Sequence, residues 1–438
     1  MSRQPEKSLE RTSDFLVATT PITAHTLNAS KFVAHLVSQG HRVWWWCGAD
    51  FQSYVRDLGA IPLRMSSACD YSIARAASYV RGSSLSAVAR VRRLYHDLIV
   101  GRAGAQCHDL LRIIQRIGPQ AILSDTLLLG ARPAAHLSGV PWATFGDGPL
   151  LWSDEDTPPF GAGLKPMAGR AGRHRNRNVQ SWIDNRVFGS ARAHYNKLCA
   201  RMGVEPVPNL RMAGLSPRLH LQGCAPSFEY PRSNLPDSVR FVGVLGTTGV
   251  RNSASPGSAA SRGRGSRPLA FVTQGTVRPD LSELALPATR ALVREGYDVL
   301  VTAAGRANEW RHEFATSPEG GIVVVDRIDY AEALAAADLL VTNGGYTGVT
   351  MALHAGVPVI QCGATEEKAD IGARLEWAGV GVAVRRTRAQ PRTIRLALGR
   401  LLGQVGLQSS LERMSAEFRA HRADELGGRL LENMAKVA

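Results

Sequence analysis

The chain has 438 residues and a formal net charge of +15 at pH 7, too long for one ordinary domain and suited to two, each with its own core. That positive excess fits nucleic acid, an anionic membrane surface or acidic small molecules; no paired zinc-finger cysteines, RNA-recognition aromatics or basic zipper accompany it, which sets nucleic acid aside. Six cysteines, at 47, 69, 107, 199, 224 and 362, form no CxxC pair, a scatter that argues against a disulfide framework or structural zinc and suits a reducing cytoplasm.

Residues 1–13 are polar and charged and read as a disordered leader, with neither a secretory signal nor a spanning helix after them. Phe15-Leu16-Val17-Ala18 is the first strand, residues 19–26 a loop, and 27–40 a helix with Phe32, Val33, Leu36 and Val37 at helical spacing. Val43-Trp44-Trp45-Trp46 is the second strand. Strand, helix, strand opens a doubly wound parallel sheet, whose ligands lie at the carboxyl ends of strands. His25 therefore stands at a functional position, although a lone loop histidine is more often just solvated. His41, two residues before the next strand, reads as structural.

Residues 74–117 are helical in composition, and Arg90, Arg92 and Arg93 read as a solvated face. Residues 119–125 form a strand ending in Asp125, which suits a helix N-cap as well as a site residue. The next strand, 141–145, runs into a Gly146-Asp147-Gly148-Pro149 turn. Asp154-Glu155-Asp156 resembles a metal-binding triplet, but no strand directly precedes it and it is rejected as a metal site. From 161 to 178 the chain carries Lys165 and four arginines with no acid, and reads as a mobile loop that is either solvated or turned to an anionic acceptor or lipid surface. Helices near 180–202 and strands at 219–221 and 240–245 complete a domain spanning 14–245. Residues 246–267, rich in Gly, Ser and Arg, have linker composition.

A second domain, 268–408, opens with the buried strand 269–273 and the turn Gln274-Gly275-Thr276. A helix over 281–295 and strands at 299–303 and 321–325 follow. Residues 339–363 then give an apolar strand, an Asn343-Gly344-Gly345 turn, a helix from Thr347 to Ala355 and a second strand after Gly356-Val357-Pro358. Strand, glycine turn and helix point bare backbone N–H groups at a phosphate. The tail, 409–438, is amphipathic and reads as a helix packing back on the first domain.

The run NGGYTGVTMALHAGVPVIQCGATEEKADIGARLEWAGVGV at 343–382 resembles the donor-binding signature of family 1 glycosyltransferases, in their bacterial natural-product and glycolipid (macrolide glycosyltransferase-like) branch. FVTQGTV at 271–277 and VGVL at 242–245 share the resemblance, and TTPITAHTLNASKFVAHLVSQGHRV at 19–43 shares it more weakly. The resemblance implies a GT-B fold, α/β, with two doubly wound Rossmann-like domains facing across a cleft. It implies inverting, metal-independent transfer from a UDP- or dTDP-linked sugar to a hydroxyl of a hydrophobic small molecule or lipid. No cofactor is expected beyond that co-substrate.

In that family the position of His25 carries the general base, and Asp125 would orient it. Gln274, Gly275 and Thr276 would face the donor diphosphate, and Arg327 and Ile328 lie in the loop that seats the nucleotide base. Asn343 stands where many relatives have a histidine; Gly344, Gly345, Thr347 and Gly348 would hold the β-phosphate. Glu367 and Lys368 take the place of an Asp-Gln pair that contacts the sugar. Met351 departs from a ribose-binding glutamate, so the choice between uridine and thymidine is open, and core packing explains a methionine there equally well. The expected setting is cytoplasmic; peripheral membrane contact and a monomeric or homodimeric state are left open. The rival readings are a sugar-nucleotide epimerase or hydrolase of the same fold, and a non-catalytic sugar-nucleotide-binding auxiliary protein.

Overall fold

The computed structural model describes residues 12–80, 86–152, 154–246, 267–275, 280–315, 321–364, 367–386 and 388–437. Most of the expected leader and linker, and Thr276, lie outside them.

Seven strands form the first sheet: β1 Asp14–Ala18, β2 Arg42–Cys47, β3 Ile61–Arg64, β4 Ala121–Asp125, β5 Trp142–Gly146, β6 Leu219–Gln222 and β7 Val239–Phe241, in the order β3-β2-β1-β4-β5-β6-β7. Six form the second: β8 Leu269–Thr273, β9 Asp298–Thr302, β10 Ile322–Val325, β11 Leu339–Thr342, β12 Val359–Cys362 and β13 Gly381–Val384, in the order β10-β9-β8-β11-β12-β13. Every pairing is parallel. A parallel sheet covered on both faces needs strands that are apolar on both sides, and β1, β4, β11 and β12 are buried at every residue. The strand order reverses between β1 and β4 in one sheet and between β8 and β11 in the other. Open α/β sheets bind ligands at such switch points. The residues after β1, β4, β8 and β11 are therefore the ones placed to act.

Separate apolar clusters fill each face. Phe32, Val33 and Leu36, from the helix Ser30–Ser38, pack with Trp45 and Phe145 against the first sheet. Leu292, Val301, Ile360 and Ile394 centre one face of the second sheet, and Phe271, Leu340, Val349 and Phe418 the other. Among the described residues no helix is long and apolar enough to cross a membrane.

Three expectations change. The loop expected over 19–26 is already helical from Thr23, because the first helix is two pieces, Thr23–Asn28 and Ser30–Ser38, meeting at Ala29. The basic run expected to be a mobile loop is the helix Gly169–Trp182 from its ninth residue on. Its arginines find acids just upstream: Arg177 meets Glu155 at 3.1 Å and Arg173 meets Asp156 at 3.7 Å. Asp154 caps its own loop, accepting from the Asp156 and Thr157 backbone and from the Thr157 hydroxyl. The tail is two helices rather than one: Leu407–Ala420 packs on the helix Tyr346–Ala355, and Ala423–Lys436 packs on Ser30–Ser38. Gly427 and Gly428 make that last contact close, since a Cβ on either would lie 2.3 Å from the Phe32 ring or 2.0 Å from the His35 ring.

The two halves are also fastened by buried charge. Glu229, between β6 and β7, accepts from Arg374 at 2.9 and 3.1 Å and from Arg232 at 3.1 Å. Arg374 comes from the helix Lys368–Ala378 and lies 4.3 Å over the Tyr230 ring. One turn earlier, Asp370 accepts from the backbone of Gly161 and Gly163.

Candidate active site

His25 sits in the middle of the short helix after β1, and Asp125 is the last residue of β4, across the first switch point. Asp125 is wholly buried. It accepts from the Thr20 backbone at 2.6 Å, from the Thr20 hydroxyl at 3.2 Å and from the Leu127 backbone at 2.9 Å. The next helix starts only at Ala131 with Gly130 as its cap, so Asp125 shapes its own turn and is not a helix N-cap. Its Oδ1 lies 3.3 Å from His25 Nδ1.

A second carboxylate, which sequence reasoning passed over, approaches the same nitrogen: Asp147 Oδ2 is 3.2 Å from His25 Nδ1. Neither oxygen lies in line with the ring N–H. Nδ1 is buried, so what exposure the ring has, 16%, belongs to its other atoms. Burial works against the imidazolium. Asp147 and then Asp125 outweigh it, with a smaller pull from Glu367, and lift the His25 pKa to about 9. Asp147 is itself raised by burial, against the opposing pull of His25. The signal for Asp147 was its place, one residue past β5 in a glycine turn.

On the other side of the cleft the two glycine turns face each other. Gly275 follows β8 with φ +70°, and a Cβ there would come 3.2 Å from the Asn343 amide. Gly344 has φ +89° and is pressed against Gln361, whereas Gly345, capping Tyr346–Ala355, has open space around it. Gly348 packs against the Tyr330 ring. The Gln274 side chain is turned away: its Oε1 accepts from the Leu284 and Ala285 backbone and its Nε2 donates to the Asp280 carbonyl, so it anchors the start of a helix. Arg327 is exposed and Ile328 buried. Glu367 and Lys368 open the helix Lys368–Ala378, and the Lys368 stem lies against Gly363. Met351 is partly buried against the core and faces Gly246.

Asn28 joins the two sides. Its Nδ2 donates to Thr347 Oγ1 at 3.0 Å and to Asp147 Oδ2 at 3.4 Å, and Thr347 Oγ1 donates to Asn28 Oδ1 at 3.3 Å. A cavity of about 550 Å³ opens at the end of β3, lined by Asp50, Arg64, Met65, Asp70 and Tyr71. The Tyr71 hydroxyl is buried with no hydrogen-bond partner among the described residues.

Two parallel sheets with their switch points turned to one cleft define the GT-B class of glycosyltransferase folds. Solved structures bear this out: the calicheamicin glycosyltransferase CalG4 matches with a TM-score of 0.75 at 18% identity, over 98% of this chain and 99% of that one. No family model matches the chain. Among curated proteins it is 34% identical over 415 residues to 4'-demethylrebeccamycin synthase of Lentzea aerocolonigenes, covering 93% of this chain and 96% of that protein. It is 24% identical over 427 residues to UDP-glucosyltransferase A1 of Starmerella bombicola, covering 95% and 91%. The chain belongs to the family 1 (UDP-glycosyltransferase-like) glycosyltransferases, and it is a glycosyltransferase.

Proposed function

We propose that this protein transfers a sugar, with inversion and without a metal ion, from a UDP- or dTDP-linked donor to a hydroxyl of a hydrophobic small-molecule or lipid acceptor, with His25 as general base. The observation that carries the reading is the Asn28 bridge: it brings His25 and Asp125 to the N-terminus of the helix Tyr346–Ala355. A helix N-terminus preceded by a glycine turn receives phosphate, because its first N–H groups are unpaired and its dipole end is positive. The backbone at Gly344 and Gly345, with Thr347 and Gly348, would take the β-phosphate and stabilise the nucleoside diphosphate as it leaves. Gly275 would approach the same group from β8, next to Asn343.

On the other side the neutral imidazole would remove the proton of the attacking hydroxyl through Nε2, while the Asp125 carboxylate beside Nδ1 supports the imidazolium that forms. The cavity lined by Arg64, Met65 and Tyr71 is the acceptor's place in this reading. A UDP-glucosyltransferase among the relatives and a spinosyn rhamnosyltransferase solved with thymidine diphosphate support both nucleotides as donors. Glu367 and Lys368 would meet the sugar, and Arg327 and Ile328 the nucleotide base.

Replacing His25 by alanine tests the reading. Turnover is expected to fall by at least ~100-fold while UDP or dTDP still binds in a calorimeter. Unchanged turnover would remove the general base. The pH dependence has a definite sign. Only neutral imidazole accepts a proton, so kcat/KM should climb about tenfold per pH unit up to the His25 pKa of about 9 and level off above it.

A further inference from the structure

His25 Nδ1 can carry at most one hydrogen, and two carboxylates stand beside it. Asp125 is fixed in place by Thr20 and Leu127. Asp147 has a different neighbour, Asn28, which is 1% exposed and ends the short helix that carries His25. A side-chain amide has two donor hydrogens. One points to Asp147 Oδ2 and the other to Thr347 Oγ1, in the first turn of the opposite lobe's helix. When Thr347 accepts from Asn28, its own hydrogen is free to turn from Asn28 Oδ1 to an incoming phosphate oxygen. The chain of contacts would then run unbroken from His25 through Asp147, Asn28 and Thr347 to the leaving group.

We propose that Asn28 and Asp147 are positioning residues that set the base and the leaving-group site in register: Asn28 holds the Thr347 hydroxyl and the Asp147 carboxylate together, and Asp147 shares the Nδ1 side of His25 with Asp125. The proposal rests on the reading of His25 as base and of Thr347 as a phosphate contact. A buried amide that joins two lobes is suited to this task, because a small misplacement of base against leaving group costs far more in turnover than in binding.

The test is a double-mutant cycle with Asn28→Ala and Thr347→Val, read by steady-state kinetics, together with Asp147→Asn and His25→Ala. Each variant is first checked for UDP and dTDP binding by calorimetry, and Asn28→Ser replaces Asn28→Ala should the latter fail to fold. Asn28→Ala is expected to lower kcat by ~10-fold or more with donor KM changed by less than about 3-fold. Thr347→Val should cost much less in the Asn28→Ala background than in wild type. The groups charged toward His25 are Asp125, Asp147 and Glu367. Removing Asp147's charge should move the acid limb of kcat/KM down by about one pH unit or more, a shift that a merely structural residue would not produce. Additive losses in the cycle, or an unmoved acid limb in Asp147→Asn, overturn the proposal while leaving His25 as base. Full activity in His25→Ala would instead overturn the general-base reading, and this proposal with it.

Discussion

At Gly344 and Gly345 one turn holds two glycines with different jobs. Gly344 needs its hydrogen: φ is +89°, and a Cβ would lie 2.6 Å from Gln361. Gly345 has φ −62° and nothing within 4 Å of a Cβ. Gly344→Ala should therefore lose ~1–3 kcal/mol of stability in chemical denaturation. Gly345→Ala should fold within ~1 kcal/mol of wild type yet raise the donor KM, if phosphate fills that space. The sequence made this turn legible because Asn-Gly-Gly between an apolar strand and a helix leaves few alternatives. It also put His25 in the turn after the first strand and Asp125 at the end of another, and the structure brings the two within 3.3 Å. Asp147 and Asn28 were not legible. Gly-Asp-Gly-Pro reads as turn chemistry, and an asparagine within a helical segment carries no mark of what it faces across a cleft. Gln274 shows the converse, since its sequence position suggested the donor but its amide is spent on the helix start at 284.

Strands were easy to read because buried parallel strands are short apolar runs, and β1, β8, β11 and β12 all fall within a residue of where the pattern puts them. Helices made by tertiary contact were harder. Gly169–Trp182 carries two glycines, two asparagines, a histidine and a valine, which make it a poor intrinsic helix despite its arginines. It forms where Asn176 is buried against the Glu155 carbonyl and where Arg173 and Arg177 meet the acids of 155–156. Acidic and basic runs read separately, one as a false metal triplet and the other as a floppy loop, are complementary halves of one element. The helix Ala423–Lys436 makes the corresponding point for packing. Its two central glycines exist for close approach to Phe32 and His35. Gly428→Ala should lower the melting temperature and destabilise by about 1–3 kcal/mol, despite alanine being the better helix former; a rise in stability would contradict the packing described here.

Across the whole molecule, Glu229 and Arg374 are the pair to break. Burial pushes the Glu229 carboxyl up, but Arg374 and Arg232 outweigh it and hold its pKa below the ordinary range. Removing one partner leaves the other charged and buried, so Arg374→Ala is expected to cost about 3–5 kcal/mol in urea unfolding. Replacing Glu229 as well should not recover that loss, because Arg232, buried against the same carboxylate, would then be left charged without its partner. Such a fastening was out of reach of the sequence, because residues 229 and 374 are remote in the chain and each alone looks like an ordinary surface charge. The closing helix carries a consequence for how the protein is made. Leu431 and Met434 belong to the same apolar cluster as Phe15 and Phe32, so part of the first domain's core stays uncovered until residues 423–436 have been translated. During that interval Phe32 and its neighbours are available to a chaperone, and a chain cut between the two sheets should yield an N-terminal fragment that precipitates unless residues 423–436 are supplied in trans.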